Sequence, residues 1–147
     1  MPEELEKSAS SNPIPVLVAA LVCDVAALEP ATAKKSLIGI FDKIFAVSFP
    51  ATRPLTLYVK FTDAKGHYKM TIHYVRSKTG EKLAEMSGEL NSTDPLGSID
   101  AQIQFPPLLI PAEGRYEFQV FADSVYLGSA FLDAMLLPQS PQKEGVQ

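Results

Sequence analysis

Gly114-Arg115-Tyr116-Glu117-Phe118-Gln119-Val120 opens a late extended segment with a Gly-x-Tyr-x-apolar pattern, and its reading decides the fold. The tyrosine is expected to bury its ring and to bond its hydroxyl to backbone nearby, because a buried phenol needs a hydrogen-bond partner. The stretch speaks to architecture and not to chemistry.

Working outward, turn signals recur about every ten residues and Pro totals 12, which suits many short strands better than helices. Strands are expected at Ile14 to Asp24, Ser36 to Phe49, Leu55 to Thr62, His67 to Ser77, Glu81 to Leu90, Ser98 to Phe105, Arg115 to Ala122 and Val125 to Leu136. Thr32 to Lys35 has room for a helical turn and little more. The clearest alternation puts Leu55, Leu57, Val59 and Phe61 inward. Ile99, Ala101, Ile103 and Phe105 repeat it, with Asp100, Gln102 and Gln104 facing water. The fold class is therefore all-β: a two-layer, mostly antiparallel sandwich of about seven or eight strands.

Turn chemistry then suggests a register. A four-residue loop, Asp63-Ala64-Lys65-Gly66, would pair Phe61 with Tyr68, Val59 with Met70, Leu57 with Ile72 and Leu55 with Tyr74. A three-residue loop, Lys78-Thr79-Gly80, with Gly80 in the left-handed conformation pairs Tyr74 with Ala84, Ile72 with Met86 and Tyr68 with Leu90. A one-residue slip would bury Glu85, so this register is preferred. The expectation is a three-strand meander with one apolar face.

At 147 residues the chain fits one domain, expected over 14–137 between polar tails at 1–13 and 138–147. A chain of this size buries roughly 70 % of its unfolded surface, enough for a core without staples. The 13 Lys and Arg against 17 Asp and Glu give a net charge of −4, which argues against nucleic-acid or membrane partners. Cys23 is the single cysteine and forms no internal disulfide. The apolar run from Val16 to Cys23 follows an acidic segment, and Pro13 and Pro15 interrupt the approach to it, so it reads as a buried first strand and not as an export signal. The expected location is cytoplasmic.

Chemistry-bearing constellations are weak. Lys60, Tyr58, Lys69, His73 and Arg76 suggest a basic patch, but the register sets Glu89 beside Lys69 and Glu85 beside His73. His67 and His73 lie about 20 Å apart on one strand, too far to share a metal. Asp24, Asp63, Asp94 and Asp123 sit at strand ends without the clustering calcium needs and read as turn formers. Gly128-Ser129-Ala130 lacks a nucleophile elbow and reads as a place where small residues admit another element. No catalytic, cofactor-binding or metal-binding residue is assigned, and no cofactor is expected.

The strand from Ser36 to Phe49 is apolar on both sides, interrupted only by Asp42 and Lys43. Its second side is expected to be covered by the Pro106-Pro107-Leu108-Leu109-Ile110-Pro111 connection, or else by a protein partner or a second copy as a homodimer.

Val22-Cys23-Asp24, Ser36-Leu37-Ile38-Gly39-Ile40-Phe41-Asp42, Phe49-Pro50 and Gly114-x-Tyr116-x-Phe118 together resemble an uncharacterised bacterial family of small immunoglobulin-like β-sandwich domains, a domain of unknown function. The resemblance spans roughly Ile14 to Leu137. It implies a tyrosine corner at Tyr116 and transfers no catalytic residue. Phe118 stands where antibody domains carry their second cysteine, and the chain has no tryptophan. The function expected is a non-catalytic protein-interaction or assembly module using an apolar sheet face or edge strand. The alternative is a small enzyme, or a sandwich binding a sugar or an anion at a loop-built site.

Overall fold

A computed structural model of the chain describes residues 12–138, which form nine strands and no helix. The strands are β1 (Val16–Glu29), β2 (Lys34–Ile40), β3 (Lys43–Ala46), β4 (Ala51–Thr62), β5 (Gly66–Arg76), β6 (Lys82–Ser92), β7 (Ser98–Ile110), β8 (Gly114–Ala122) and β9 (Val125–Leu136). One sheet has the order β2-β1-β4-β7 and the other β3-β9-β8-β5-β6. All neighbours run antiparallel except β3 and β9.

Alternation builds the core between the sheets. Leu55, Leu57, Val59 and Phe61 of β4 are buried, as their spacing requires, and so are Tyr68, Met70, Ile72 and Tyr74 of β5. Tyr116, Phe118 and Val120 of β8 complete the layer. Phe118 lies 5.0 Å from Tyr74 and 5.5 Å from Phe105 between ring centres, so the middle of the sandwich is aromatic. Each such side chain contributes roughly 1.5–3 kcal/mol on burial.

The Tyr116 corner forms as expected. Its hydroxyl donates to the Ala112 carbonyl at 2.6 Å, within the connection from β7 to β8. The β5–β6 register also matches, with Tyr74 opposite Ala84, Ile72 opposite Met86 and Tyr68 opposite Leu90. Gly80 closes that turn with φ +74°.

The three-strand meander does not form. β4 and β5 lie in different sheets, so Phe61, Val59, Leu57 and Leu55 are not laddered to Tyr68, Met70, Ile72 and Tyr74 but belong to the same core across the layer. Alternation identifies the side that faces the core and is blind to the sheet that carries it. The link between them is anchored by Tyr68, whose hydroxyl donates to the Pro13 carbonyl at 2.7 Å and accepts the Lys65 amide at 3.0 Å. Asn12 is held too, donating to the His67 carbonyl at 3.2 Å. Residues 1–11 and 139–147, most of the two expected tails, lie outside the described residues.

The strand expected from Ser36 to Phe49 is two strands. The chain passes at Phe41 and Asp42 from β2 in one sheet to β3 in the other, which is where the two polar residues interrupted the apolar run. The Pro106–Pro111 segment does not cover it: Pro106 to Ile110 continue β7, at the opposite edge of the sheet from β2. The expected helical turn at Thr32 to Lys35 is instead a hairpin turn at 30–33, and β1 runs on to Glu29. Nor is β1 buried throughout, since Val16, Val18 and Leu21 remain exposed while Val22 and Cys23 are enclosed.

Gly128 bears out the close-approach reading: a Cβ there would stand 2.9 Å from Leu17 Cδ2, where β1 crosses β9.

Candidate functional site

β1 and β2 form one long hairpin, but β4 accompanies β1 only as far as Cys23, which is opposite Thr56. Beyond that point the ribbon leaves its neighbour. Its turn is closed by the Ala33 amide donating to the Glu29 carbonyl at 2.8 Å and by Thr32 Oγ1 donating to the Glu29 carboxylate at 2.7 Å.

Two ion pairs fix the ribbon. At its root, Arg53 Nη2 donates to Asp24 Oδ1 at 2.7 Å while the guanidinium lies 4.5 Å from the centre of the Phe41 ring. Gly39 stands across from Asp24 with φ +71°, and a Cβ there would come 2.4 Å from the Asp24 carboxylate, so a side chain at this position would strain the backbone and push the carboxylate aside. Towards its tip, Lys35 reaches over to Asp100 of β7, which also accepts the Tyr58 hydroxyl at 2.8 Å.

Between ribbon and sheet runs a shallow groove. One part, about 500 Å³, is lined by Val25, Leu28 and Lys35 on the hairpin and by Thr56, Gln102 and Gln104 on the sheet. The other, about 660 Å³, shares Thr56 and Gln104 and reaches Asp24, Arg53 and Pro106.

Beside the groove, Tyr58 and Cys23 are held in their neutral forms and Asp100 in its charged one. Burial, then the hydrogen bond to Asp100, push Tyr58 up to about 12. Burial pushes Asp100 up as well, but the Lys35 ammonium and the Tyr58 hydroxyl outweigh it and hold the carboxyl below its ordinary range. Burial, reinforced by the Asp24 charge, raises the Cys23 thiol, which donates to the Val25 carbonyl. Tyr58 thus serves as a fixed donor and Asp100 as a fixed acceptor.

One face of the ribbon is apolar and partly exposed. Cys23 is opposite Ile40 and Val25 opposite Ile38, so Val25, Ile38 and Ile40, exposed to 50 %, 57 % and 56 %, share a face with the enclosed Cys23. Sequence reading found the second apolar side of this segment but assigned it a cover that lies elsewhere.

The remaining sequence candidates separate. Lys60 is beside Asp100 on one sheet, whereas Lys69, His73 and Arg76 belong to the other, so the basic patch is split and the expected Lys60–Lys69 pair does not exist. Lys69 is opposite Glu89 and His73 opposite Glu85, as the register required. His67 pairs with Glu89. Asp94 and Asp123 act as turn residues, accepting the Leu96 amide at 3.0 Å and the Lys69 amide at 2.8 Å. Among the described residues no three His, Cys, Asp or Glu side chains converge as metal ligands, and no helix is long and apolar enough to cross a membrane.

Asp24, Gly39, Phe41 and Arg53 were not grouped by sequence reading. They come from three strands and a connection, and no local spacing marks them.

A model of a family of unknown function (DUF6941) matches residues 18–134, taking in the hairpin from Val18 onward and both sheets up to Ala134. The chain belongs to that family. In this DUF6941 domain the matched span includes Asp24, Gly39, Arg53, Asp100 and Tyr116. No curated protein matches the chain.

Proposed function

We propose that this domain is a non-catalytic protein-interaction module, an immunoglobulin-like sandwich of bacterial origin that works in the cytoplasm and docks a protein partner on the apolar face of the β1–β2 hairpin. One observation carries the reading: Val25, Ile38 and Ile40, apolar residues on one face of the β1–β2 hairpin, are each half or more exposed to water. The Asp24–Arg53 and Lys35–Asp100 pairs support it, because a ribbon held at root and tip loses little freedom on binding. The net charge of −4 favours a protein surface over phosphate-rich partners.

A photo-crosslinking residue at Ile38 should capture one defined protein in cells, the same residue at Glu85 should not, and Ile40→Lys should abolish capture without altering the melting temperature. Equal capture at both positions, or none at Ile38, would overturn the reading.

A second reading, a sugar or an anion held in the groove, is favoured by Arg53 Nε, which is buried and hydrogen-bonded to nothing among the described residues. Titration with monosaccharides and inorganic phosphate, followed at the Arg53 side-chain resonance, tests it. A resonance that moves with neither sinks it.

A further inference from the structure

β7 is an edge strand. It pairs with β4 on one side and with no described residue on the other, so alternate amides and carbonyls face outward. The layer beneath it is open as well. Leu57, Val59 and Phe61 of β4 are fully buried, yet their ladder partners Ile103, Ala101 and Ile99 are only half-buried. The facing edge repeats the contrast: Ile72 and Tyr74 are enclosed while Met86 and Ala84 opposite them are not. The sandwich is unsealed along the seam between β6 and β7.

Constant-type immunoglobulin sandwiches carry a further strand at this place, beside the strand that precedes the tyrosine corner. Here β6 ends at Ser92 and β7 begins at Ser98, and the link between them adds no strand.

The exposed edges differ in their protection. Two-fold pairing of β6 about Ser87 would set Glu85 against Glu89 of the second copy, and β2 opens with Lys34 and Lys35. Such charges normally prevent edge-to-edge association. From Ser98 to Phe105, β7 has one charge, Asp100, and that is taken up by Lys35. Pro106 and Pro107 limit any added pairing to this stretch.

We propose that β7 pairs antiparallel with β7 of a second copy, about a two-fold axis at Ala101. This register opposes Ile99 to Ile103, Asp100 to Gln102 and Ser98 to Gln104, so every inward side chain meets an inward one and no like charges meet. The Gln102 amide can then donate to Asp100 of the other copy. Leu96, 94 % exposed in the single chain, arrives beside Pro106 of the second. The two open seams become one continuous interior, and the hairpin stays free for a different partner.

Sedimentation of the full chain across a concentration series tests this. A reversible dimer is expected. Ala101→Lys, which brings two ammonium groups together at the axis, should weaken it by at least about tenfold, while the lysine stem lies along the seam in the monomer. Under oxidising conditions Ala101→Cys should yield a covalent dimer, since directly opposed strand residues fall within disulfide reach, and Glu85→Cys should not. Ile38→Lys should leave the dimer intact, which separates this contact from the hairpin surface. A monomer at every concentration overturns the proposal. So does a dimer indifferent to Ala101→Lys that fails to crosslink through Ala101→Cys.

Discussion

The hydroxyl of Tyr116 donates a hydrogen bond to the carbonyl of Ala112 at 2.6 Å and accepts one from the amide of the same residue at 3.2 Å, so one phenol satisfies both backbone groups of a residue four positions upstream. Tyr116 is fully buried. Tyr116→Phe leaves the ring and strips both groups of their partner, with an expected loss of about 1–3 kcal/mol. Urea denaturation should show a lower midpoint at an unchanged slope.

Phe118 has no polar role and sits between Tyr74 and Phe105. Phe118→Ala should cost about 3–5 kcal/mol through lost transfer energy and the cavity left among rings that cannot all close in. The same measurement checks it, and a loss below that of Tyr116→Phe would show that the aromatic centre collapses easily.

Gly39 occupies a left-handed conformation against the Asp24 carboxylate. Gly39→Ala should destabilise by about 1–3 kcal/mol, from backbone strain and from displacement of Asp24 away from Arg53. Adding Asp24→Ala removes the obstructing carboxylate, so the double variant should lose less than the two single losses combined.

Asp100 and Tyr58 predict opposite limbs of a pH profile. The Asp100 carboxyl is depressed in the folded state, so its contribution is present above the unfolded value of about 3.9 and disappears as pH falls through the folded one. Tyr58 is raised, so its contribution is complete below about 10 and is lost as pH climbs towards about 12. Ultraviolet titration should show a tyrosine ionising near the upper value, absent in Tyr58→Phe and moved downward in Asp100→Asn.

What could be read from the sequence was local. The β5–β6 register was legible because a three-residue turn and the cost of burying Glu85 admit one solution, and Tyr116 because its pattern is contained within five residues. The β4–β5 pairing was misread because Leu57 and Ile72 satisfy the same alternation as ladder neighbours or as facing residues across the core. The groove was invisible, since Lys35 and Asp100, or Asp24 and Arg53, meet only once the β1–β2 hairpin is set against β4 and β7. The role of Gly39 was equally hidden, because its contact is made across the hairpin and not along the chain.

One pairing has a kinetic corollary. β3 joins β9 in parallel, Lys43 opposite Asp133, across about ninety residues of intervening chain. Its four residues bring little binding energy of their own, so loop-closure entropy delays them until β8 and β9 already stand as a template. Refolding should therefore be slow for a domain of this length, with β3 protected from hydrogen exchange last.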